Sequence, residues 1–149
     1  MKLRELMPTT WLLVGLISEA LLYFVVPGAR LMAAPWILLG LVPMAIGIWI
    51  NLAADKAFHV TSTTVKPLES SSALVRDGVF GVTRNPMYLG FVLILLGEAL
   101  LFGSLTPFAV VVAFVIVMDR MYIAREEGML AEDFGGDWTS YAAKTRRWL

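Results

Sequence analysis

Long runs of apolar residues dominate this chain, and polar segments separate them. An α-helix rises about 1.5 Å per residue, so about 20 apolar residues cross a hydrocarbon core of roughly 30 Å. The pattern therefore predicts an all-α integral membrane protein with about four transmembrane helices, over residues 10–27, 31–54, 86–102 and 107–125. The turn at residues 103–107 makes the last two spans a helical hairpin.

Two polar segments interrupt this pattern, at residues 55–85 and 126–149. The first is a loop of about thirty residues, and so long a loop in a small protein is usually functional. The second mixes aromatic residues with arginines, which is typical of a segment at the membrane interface. We expect residues 1–149 to form a single domain with the loop and the tail on one face.

The distribution of lysine and arginine predicts the orientation. Of the twelve lysines and arginines, only Arg30 falls between the first and second spans, and the others flank the loop, the tail and the N-terminus. Cytoplasmic segments carry such an excess of positive charge. We therefore expect an inner-membrane protein whose two termini and long loop are cytoplasmic.

Composition narrows the class further. With 58% hydrophobic and 16% charged residues, the chain is too apolar for an ordinary soluble domain. Its formal net charge of zero gives no basic field that would attract nucleic acid. The absence of cysteine excludes disulfides and thiolate chemistry, and a single histidine excludes a histidine-rich metal site, so we expect no metal.

The polar residues that precede the third span are the first candidate site. The stretch from Ser72 to Gly90 packs charged, small and aromatic residues between apolar segments. Pro86 is suited to the first turn of a helix, where unpaired N–H groups favour a ligand oxygen, and Arg84 adds a permanent positive charge. The alternative is that Arg84 extends to the lipid boundary and Tyr88 belongs to an interfacial aromatic belt.

Glu126 and Glu127 are the second candidate. Two adjacent carboxylates at the cytoplasmic end of a helix oppose its dipole, so a cationic or hydroxyl-bearing ligand would stabilise them. The alternative is a solvated pair neutralised by nearby arginines of the helix and the tail.

Two further acids, Glu19 and Glu98, lie within predicted spans, where acids usually face a cavity or the bundle interior. Glu19 supports an alternative function, a small four-span cation transporter. A reductase that binds a nicotinamide cofactor is a third hypothesis, although no phosphate-binding glycine series is present. His59 is a single interfacial histidine, for which a solvated position is expected.

Five short motifs, taken in order, resemble a known family. They are Ser-Ala-Leu-Val at 72–75, Asp-Gly-Val-Phe at 77–80, Thr-Arg-Asn-Pro-Met-Tyr-Leu-Gly at 83–90, Glu-Glu-Gly-Met-Leu at 126–130, and Phe134-Gly with a terminal Tyr141 to Trp148. Their order and spacing resemble the isoprenylcysteine carboxyl methyltransferase and phospholipid methyltransferase family of integral membrane enzymes. The resemblance covers roughly residues 60–149.

The resemblance implies S-adenosylmethionine as cofactor, in a pocket formed by the loop, the mouth of the third span and the end of the last helix with the tail. The positions implied to bind it are Ser72, Ala73, Leu74, Val75, Phe80, Asn85, Pro86, Met87, Tyr88 and Glu126. We expect Arg84 and Glu127 to act in catalysis, with Arg84 suited to the cofactor's carboxylate.

Two positions depart from the family's pattern. Asn85 stands where a histidine is common, and an amide cannot act as a general base. Tyr122 stands where the isoprenylcysteine enzymes have an arginine, which argues against a carboxylate acceptor. The implied acceptor is a lipid or prenylated small molecule whose reactive group (amine, carboxylate, thiol or hydroxyl) stays open, as does the choice between monomer and homodimer.

Overall fold

The computed structural model describes residues 7–60 and 73–149. Its α-helices are α1 (Pro8–Val25), α2 (Leu41–Val60), α3 (Pro86–Phe102), α4 (Pro107–Met118) and α5 (Ala124–Lys144). Short 3₁₀ helices cover Trp36–Gly40 and Gly78–Gly81, and a π-helical turn, Asp119–Ile123, joins α4 to α5. Over these ranges the chain pairs in β fashion only at isolated bridges, so the all-α prediction is confirmed.

Three of the described helical segments contain a stretch long and apolar enough to cross a membrane: Pro8–Val25, Trp36–Val60 and Pro107–Lys144, the last in the part that precedes the polar helix α5. Helix α3 is apolar but shorter. Large apolar side chains such as Leu21 and Trp49 are mostly exposed on the surface, as expected of a face that contacts lipid rather than water. The architecture is that of an integral membrane protein.

Helix α3 lies at the centre of the bundle and contacts α1, α2 and α4. It contributes many of the buried side chains, among them Leu95 and Ala99, which are fully buried. Two glycine pairs bring its backbone close to α2 and to the 3₁₀ helix that precedes α2. Gly47 lies opposite Gly90, and Gly40 lies opposite Gly97. A Cβ added at Gly97 would come within 2.6 Å of the Gly40 carbonyl oxygen. Small residues permit this close approach between membrane helices.

The predicted hairpin is present between α3 and α4. Gly103 ends α3 with a φ of 62°, a left-handed conformation that glycine adopts without steric cost. The carbonyl oxygen of Gly103 accepts hydrogen bonds from the N–H groups of Leu31 (2.9 Å) and Met32 (3.2 Å). The connection between α1 and α2 is thereby fixed to the hairpin turn.

Helix boundaries differ from the apolar pattern in two places. The second helical segment starts only at Trp36. Ala34 precedes Pro35, and a residue that precedes proline disfavours the helical conformation, so the helix cannot begin earlier. It then continues through the polar residues to Val60, with exposed Asp55 and His59 paired at 3.4 Å one turn apart. Residues 55–60 of the predicted loop are therefore helical, and its residues 61–72 lie outside the described part of the chain.

Helix α5 extends the last apolar segment far into the predicted tail. Its residues run to Lys144, with a kink at Gly135, whose φ is 49°. Trp138 and Tyr141 lie beyond that kink and are buried. The tail thus folds back as helix, and only its last residues are extended.

Candidate active site at the mouth of the third helix

Pro86 starts α3 and places Tyr88 in its first turn. The Tyr88 side chain is buried, and its hydroxyl donates a 2.7 Å hydrogen bond to Oε1 of Glu126. These two residues are 38 positions apart in the chain. The contact joins the mouth of α3 to the first turn of α5.

The two adjacent acids point to different partners. Successive helical residues are rotated by about 100°, so Glu126 and Glu127 cannot face the same neighbour. While Glu126 contacts Tyr88, the Glu127 carboxylate lies between two guanidinium groups, with Oε1 at 3.1 Å from Nη2 of Arg84 and Oε2 at 2.5 Å from Nη2 of Arg147. The side chains of Arg84 and Glu127 are only 15% and 13% exposed, so this ion pair is largely shielded from solvent.

Arg84 is held by the returning C-terminal helix as well as by Glu127. Its Nη1 donates a 3.0 Å hydrogen bond to the carbonyl oxygen of Ala142, and its guanidinium lies 5.6 Å from the centre of the Trp138 ring. The Nε of Arg84 is buried and has no hydrogen-bond partner among the described residues. One donor of this guanidinium is therefore left unpaired within the described part of the chain.

The loop before α3 is fixed to α5 by its own contacts. The Tyr141 hydroxyl donates a 2.6 Å hydrogen bond to the carbonyl oxygen of Phe80, and burial raises the pKa of Tyr141 to about 12. Phe80 packs in turn with Val75 and Ala54 in a second buried cluster, against which Met87 is partly buried. These contacts connect residues 75–80 to α2, to the mouth of α3 and to α5.

The environment of Glu126 favours its neutral form. Burial is the main cause that raises the pKa of its carboxyl group, the hydrogen bond from Tyr88 offsets part of that effect, and the charge of Glu127 adds to it. Glu126 lies beyond the apolar residues of α4. A cation placed beside it would favour the ionised form.

The structure brings together most of the residues singled out in the sequence. Arg84, Asn85, Tyr88, Glu126 and Glu127 meet at the mouth of α3 or directly beside it. The side-chain amide of Asn85 donates to the carbonyl oxygen of Arg147 at 3.0 Å. The remaining predicted positions line the adjoining loop or begin α3 (Ala73, Leu74, Val75, Phe80, Pro86, Met87), whereas Ser72 lies outside the described residues.

Three contacts of Arg147, with Glu127, Asp119 and Thr83, do not follow from the sequence pattern. Arg147 is one of several arginines that were candidates to neutralise the acids, and nothing local distinguishes it from Arg146. Asp119 forms a second ion pair with Arg147, with 3.3 Å between Oδ1 and Nη1. The buried Thr83 donates to the carbonyl oxygen of Arg147 at 3.1 Å. Asp119 begins a π-helical turn, Asp119–Ile123, and such turns are frequent at functional sites.

The other candidate residues lie away from this cluster. Glu19 is fully buried in α1 and interacts electrostatically with Glu98 of α3. Both carboxylate oxygens of Glu19 lack a hydrogen-bond partner among the described residues. His59 is exposed, as expected for a solvated histidine. In the part of the chain that the structure describes, no group of three or more histidines or acids is placed to hold a metal ion.

Comparisons with known proteins agree with the motif pattern. A family model described as phospholipid methyltransferase matches residues 35–137, which is more than half of the chain. An uncharacterised protein of Haemophilus influenzae is 41% identical over 63 residues, which make up 42% of this chain and the whole of that protein. No solved structure matches the chain significantly.

Proposed function

The chain belongs to the phospholipid methyltransferase family, and from that premise we propose that it transfers a methyl group from S-adenosylmethionine to a lipid or prenylated acceptor. We place the reaction at the cytoplasmic face of the inner membrane, with both termini cytoplasmic, because the lysines and arginines concentrate beside the loop, the tail and the N-terminus. Membership in the family implies a methyltransferase; the cofactor, the acceptor and the face are the proposal.

The observation that carries the proposal is the pair of acids at the mouth of α3. S-Adenosylmethionine has a sulfonium, an ammonium and a carboxylate group, and a low-dielectric site stabilises such charges only beside opposite charges or hydrogen-bonding groups. Glu126 offers a carboxylate that Tyr88 orients, and Arg84 offers a buried donor without a partner among the described residues. The charges present therefore fit this cofactor.

Positioning explains how such a site would work. When bound, S-adenosylmethionine supplies an electrophilic methyl group on a positively charged sulfur. The chain's own task is to hold the donor in line with the acceptor, a task worth up to about 7–11 kcal/mol when geometry is ideal. We assign cofactor binding to Glu126 and Tyr88 with the loop residues 72–75 and Phe80, and assign orientation at the reacting end to Arg84 and Glu127.

An apolar groove supports a lipid acceptor. A cavity of about 310 Å³ runs between α1 and α4 from Trp11 to Leu22. At its Trp11 end, the indole N–H donates a 2.9 Å hydrogen bond to the hydroxyl of Tyr122, whose ring lies 6.3 Å from that of Tyr88. An acyl or prenyl chain in this groove would lead toward the acids. No comparison supports the alternative of a transporter that uses Glu19.

Calorimetric titration with S-adenosylhomocysteine tests the proposal directly. We expect the detergent-purified protein to bind one equivalent, and we expect Glu126→Ala to weaken binding by about tenfold or more, since a charge-assisted contact is worth about 1.5–3 kcal/mol. Glu132→Ala is the matched control, because Glu132 is an exposed acid of the same helix. Absence of binding by the wild type in lipid-containing micelles would contradict the proposal.

Transfer of a labelled methyl group into a lipid extract then identifies the acceptor. Labelled product should appear in the organic phase with the wild-type protein and the Glu132→Ala control, and should fall with Glu126→Ala. Binding of the cofactor without any labelled lipid would leave the cofactor assignment standing and refute the lipid acceptor.

The raised pKa of Glu126 gives a prediction for pH. An ionised Glu126 attracts the sulfonium, so affinity for S-adenosylmethionine should fall as the pH decreases through that pKa, starting at a higher pH than for an ordinary glutamate. S-Adenosylhomocysteine lacks the sulfonium charge. The affinity for S-adenosylmethionine divided by the affinity for S-adenosylhomocysteine therefore isolates the attraction between Glu126 and the sulfonium. The ratio should decline on acidification in the wild type and stay constant in Glu126→Gln; equal declines in both proteins would show that another group titrates.

A further inference from the structure

The extended end of the chain crosses the mouth of α3 and is bound there by its backbone. The N–H of Arg84 donates to the carbonyl oxygen of Arg146 at 2.9 Å. The carbonyl oxygen of Arg147 accepts two further hydrogen bonds, from the hydroxyl of Thr83 (3.1 Å) and the amide of Asn85 (3.0 Å). Three consecutive residues that precede α3 thus hold two consecutive residues of the tail.

The side chains of the same segment reach the acids of the last helix. The guanidinium of Arg147 contacts Oε2 of Glu127 through Nη2 at 2.5 Å and through Nε at 3.1 Å. Its Nη1 and the indole N–H of Trp148 lie 3.3 Å and 3.4 Å from the same oxygen of Asp119. The segment is therefore attached through its backbone to the residues before α3 and through its side chains to Asp119 and Glu127.

This arrangement fixes the orientation of Glu127. Each carboxylate oxygen has its own guanidinium, Oε1 facing Arg84 and Oε2 facing Arg147. Without Arg147, both oxygens would compete for Arg84, whose guanidinium is then less available to a ligand carboxylate. A planar group that contacts one oxygen through two nitrogens restricts rotation more than a single-point contact does.

We propose that residues 145–148 form a C-terminal strap that completes the active site, and that Arg147 is a positioning residue that orients Glu127 and, through it, Arg84. The inference rests on the proposed function. It assigns Thr83 and Asn85 to the attachment of the strap, in addition to any contact that Asn85 makes with a cofactor. Arg147 itself touches neither donor nor acceptor in this proposal.

Substitution of the two adjacent arginines separates this role from a general charge effect. Arg146 is exposed and its guanidinium contacts only the terminal carbonyl oxygen among the described residues, at 3.5 Å, so Arg146→Ala removes the same charge one residue away. We expect Arg147→Ala to weaken S-adenosylhomocysteine binding by about tenfold and Arg146→Ala to change it by no more than about twofold. Arg147→Lys should recover only part of the loss, because a single ammonium cannot reproduce the planar contact.

Calorimetry distinguishes positioning from mere stabilisation, since it reports the dissociation constant and the fraction of competent protein separately. A positioning role raises the dissociation constant at unchanged stoichiometry, whereas partial unfolding lowers the stoichiometry and leaves the constant unchanged. Equal effects of Arg147→Ala and Arg146→Ala, or a fall in stoichiometry alone, would overturn the proposal.

A second variant keeps the test decisive if Arg147→Ala does not fold. Thr83→Val retains the shape of a buried side chain but removes the hydroxyl, which donates to the strap backbone and accepts a 3.2 Å hydrogen bond from the N–H of Asn85. It should weaken binding by several-fold, because the strap loses one hydrogen bond and the N–H of Asn85 loses its acceptor; unchanged affinity refutes the strap. If the wild type binds no S-adenosylhomocysteine, the proposed function fails; if the wild type binds and these variants match it, only the strap fails.

Discussion

Replacement of Glu127 by alanine is expected to lower the free energy of unfolding by about 3–5 kcal/mol, the usual cost of leaving one member of a buried ion pair unpaired. Its partner Arg84 is 15% exposed and would keep its charge without the carboxylate. Arg147 is 39% exposed and can turn toward solvent, so it adds little to this cost. Denaturant unfolding in detergent, followed by helical circular dichroism, measures the change.

Two further variants separate the unpaired charge from other effects of the truncation. Glu132→Ala removes an exposed acid from the same helix and should stay within about 0.5 kcal/mol of the wild type. In the Glu127→Ala background, Arg84→Met removes the buried charge but keeps most of the side-chain volume, and it should restore part of the lost stability. No recovery in the double variant would mean that the unpaired guanidinium is not the source of the loss.

Gly97→Ala is expected to destabilise the bundle by about 1–3 kcal/mol through overpacking between α2 and α3. The new Cβ would lie 2.6 Å from the carbonyl oxygen of Gly40, 2.8 Å from Cβ of Met44 and 3.0 Å from its backbone nitrogen. Backbone atoms cannot rotate away as a flexible side chain can, so the two helices must separate. A shift in the thermal unfolding midpoint in detergent reports the loss.

Gly128→Ala is the matched control for that prediction. Gly128 lies in α5 with no described atom within 4 Å of the position of its Cβ, so the same change should stabilise the protein by about 0.5–1 kcal/mol through helix propensity. The propensity gain is common to both sites, and the difference between the two variants therefore isolates packing. Equal shifts at both positions would contradict the close contact of α2 with α3.

Helix positions followed from local features of the chain. Pro86 and Pro107 both begin helices, as expected from a residue with a fixed φ and no N–H to satisfy. The hydropathy pattern predicted ends for α2 and α5 that lie before their observed ends at Val60 and Lys144. Residues 55–60 are helical although Asp55, Lys56 and His59 interrupt the apolar pattern, because the pairing of Asp55 with His59 one turn apart and the attachment to an apolar helix compensate for lower hydropathy.

Only part of the candidate site could be predicted from local features of the sequence. The motifs placed Arg84, Tyr88, Glu126 and Glu127 in one functional group, and the structure brings these residues together. Arg147 could not be distinguished from Arg146 because both share the same local composition. Their difference arises from the direction in which the extended tail crosses Thr83 and the residues after it.

The sequence by itself determined the class of this protein: an all-helical membrane chain with a polar site at the start of the third apolar helix, and a family shared with phospholipid methyltransferases. Hydropathy, proline and short motifs are properties of neighbouring residues, so they can be identified without coordinates. The tertiary structure alone decided that Tyr88 meets Glu126, that Glu127 lies between two guanidinium groups, and that Gly97 contacts Gly40. Each of these contacts joins distant segments, and its geometry depends on how whole helices pack.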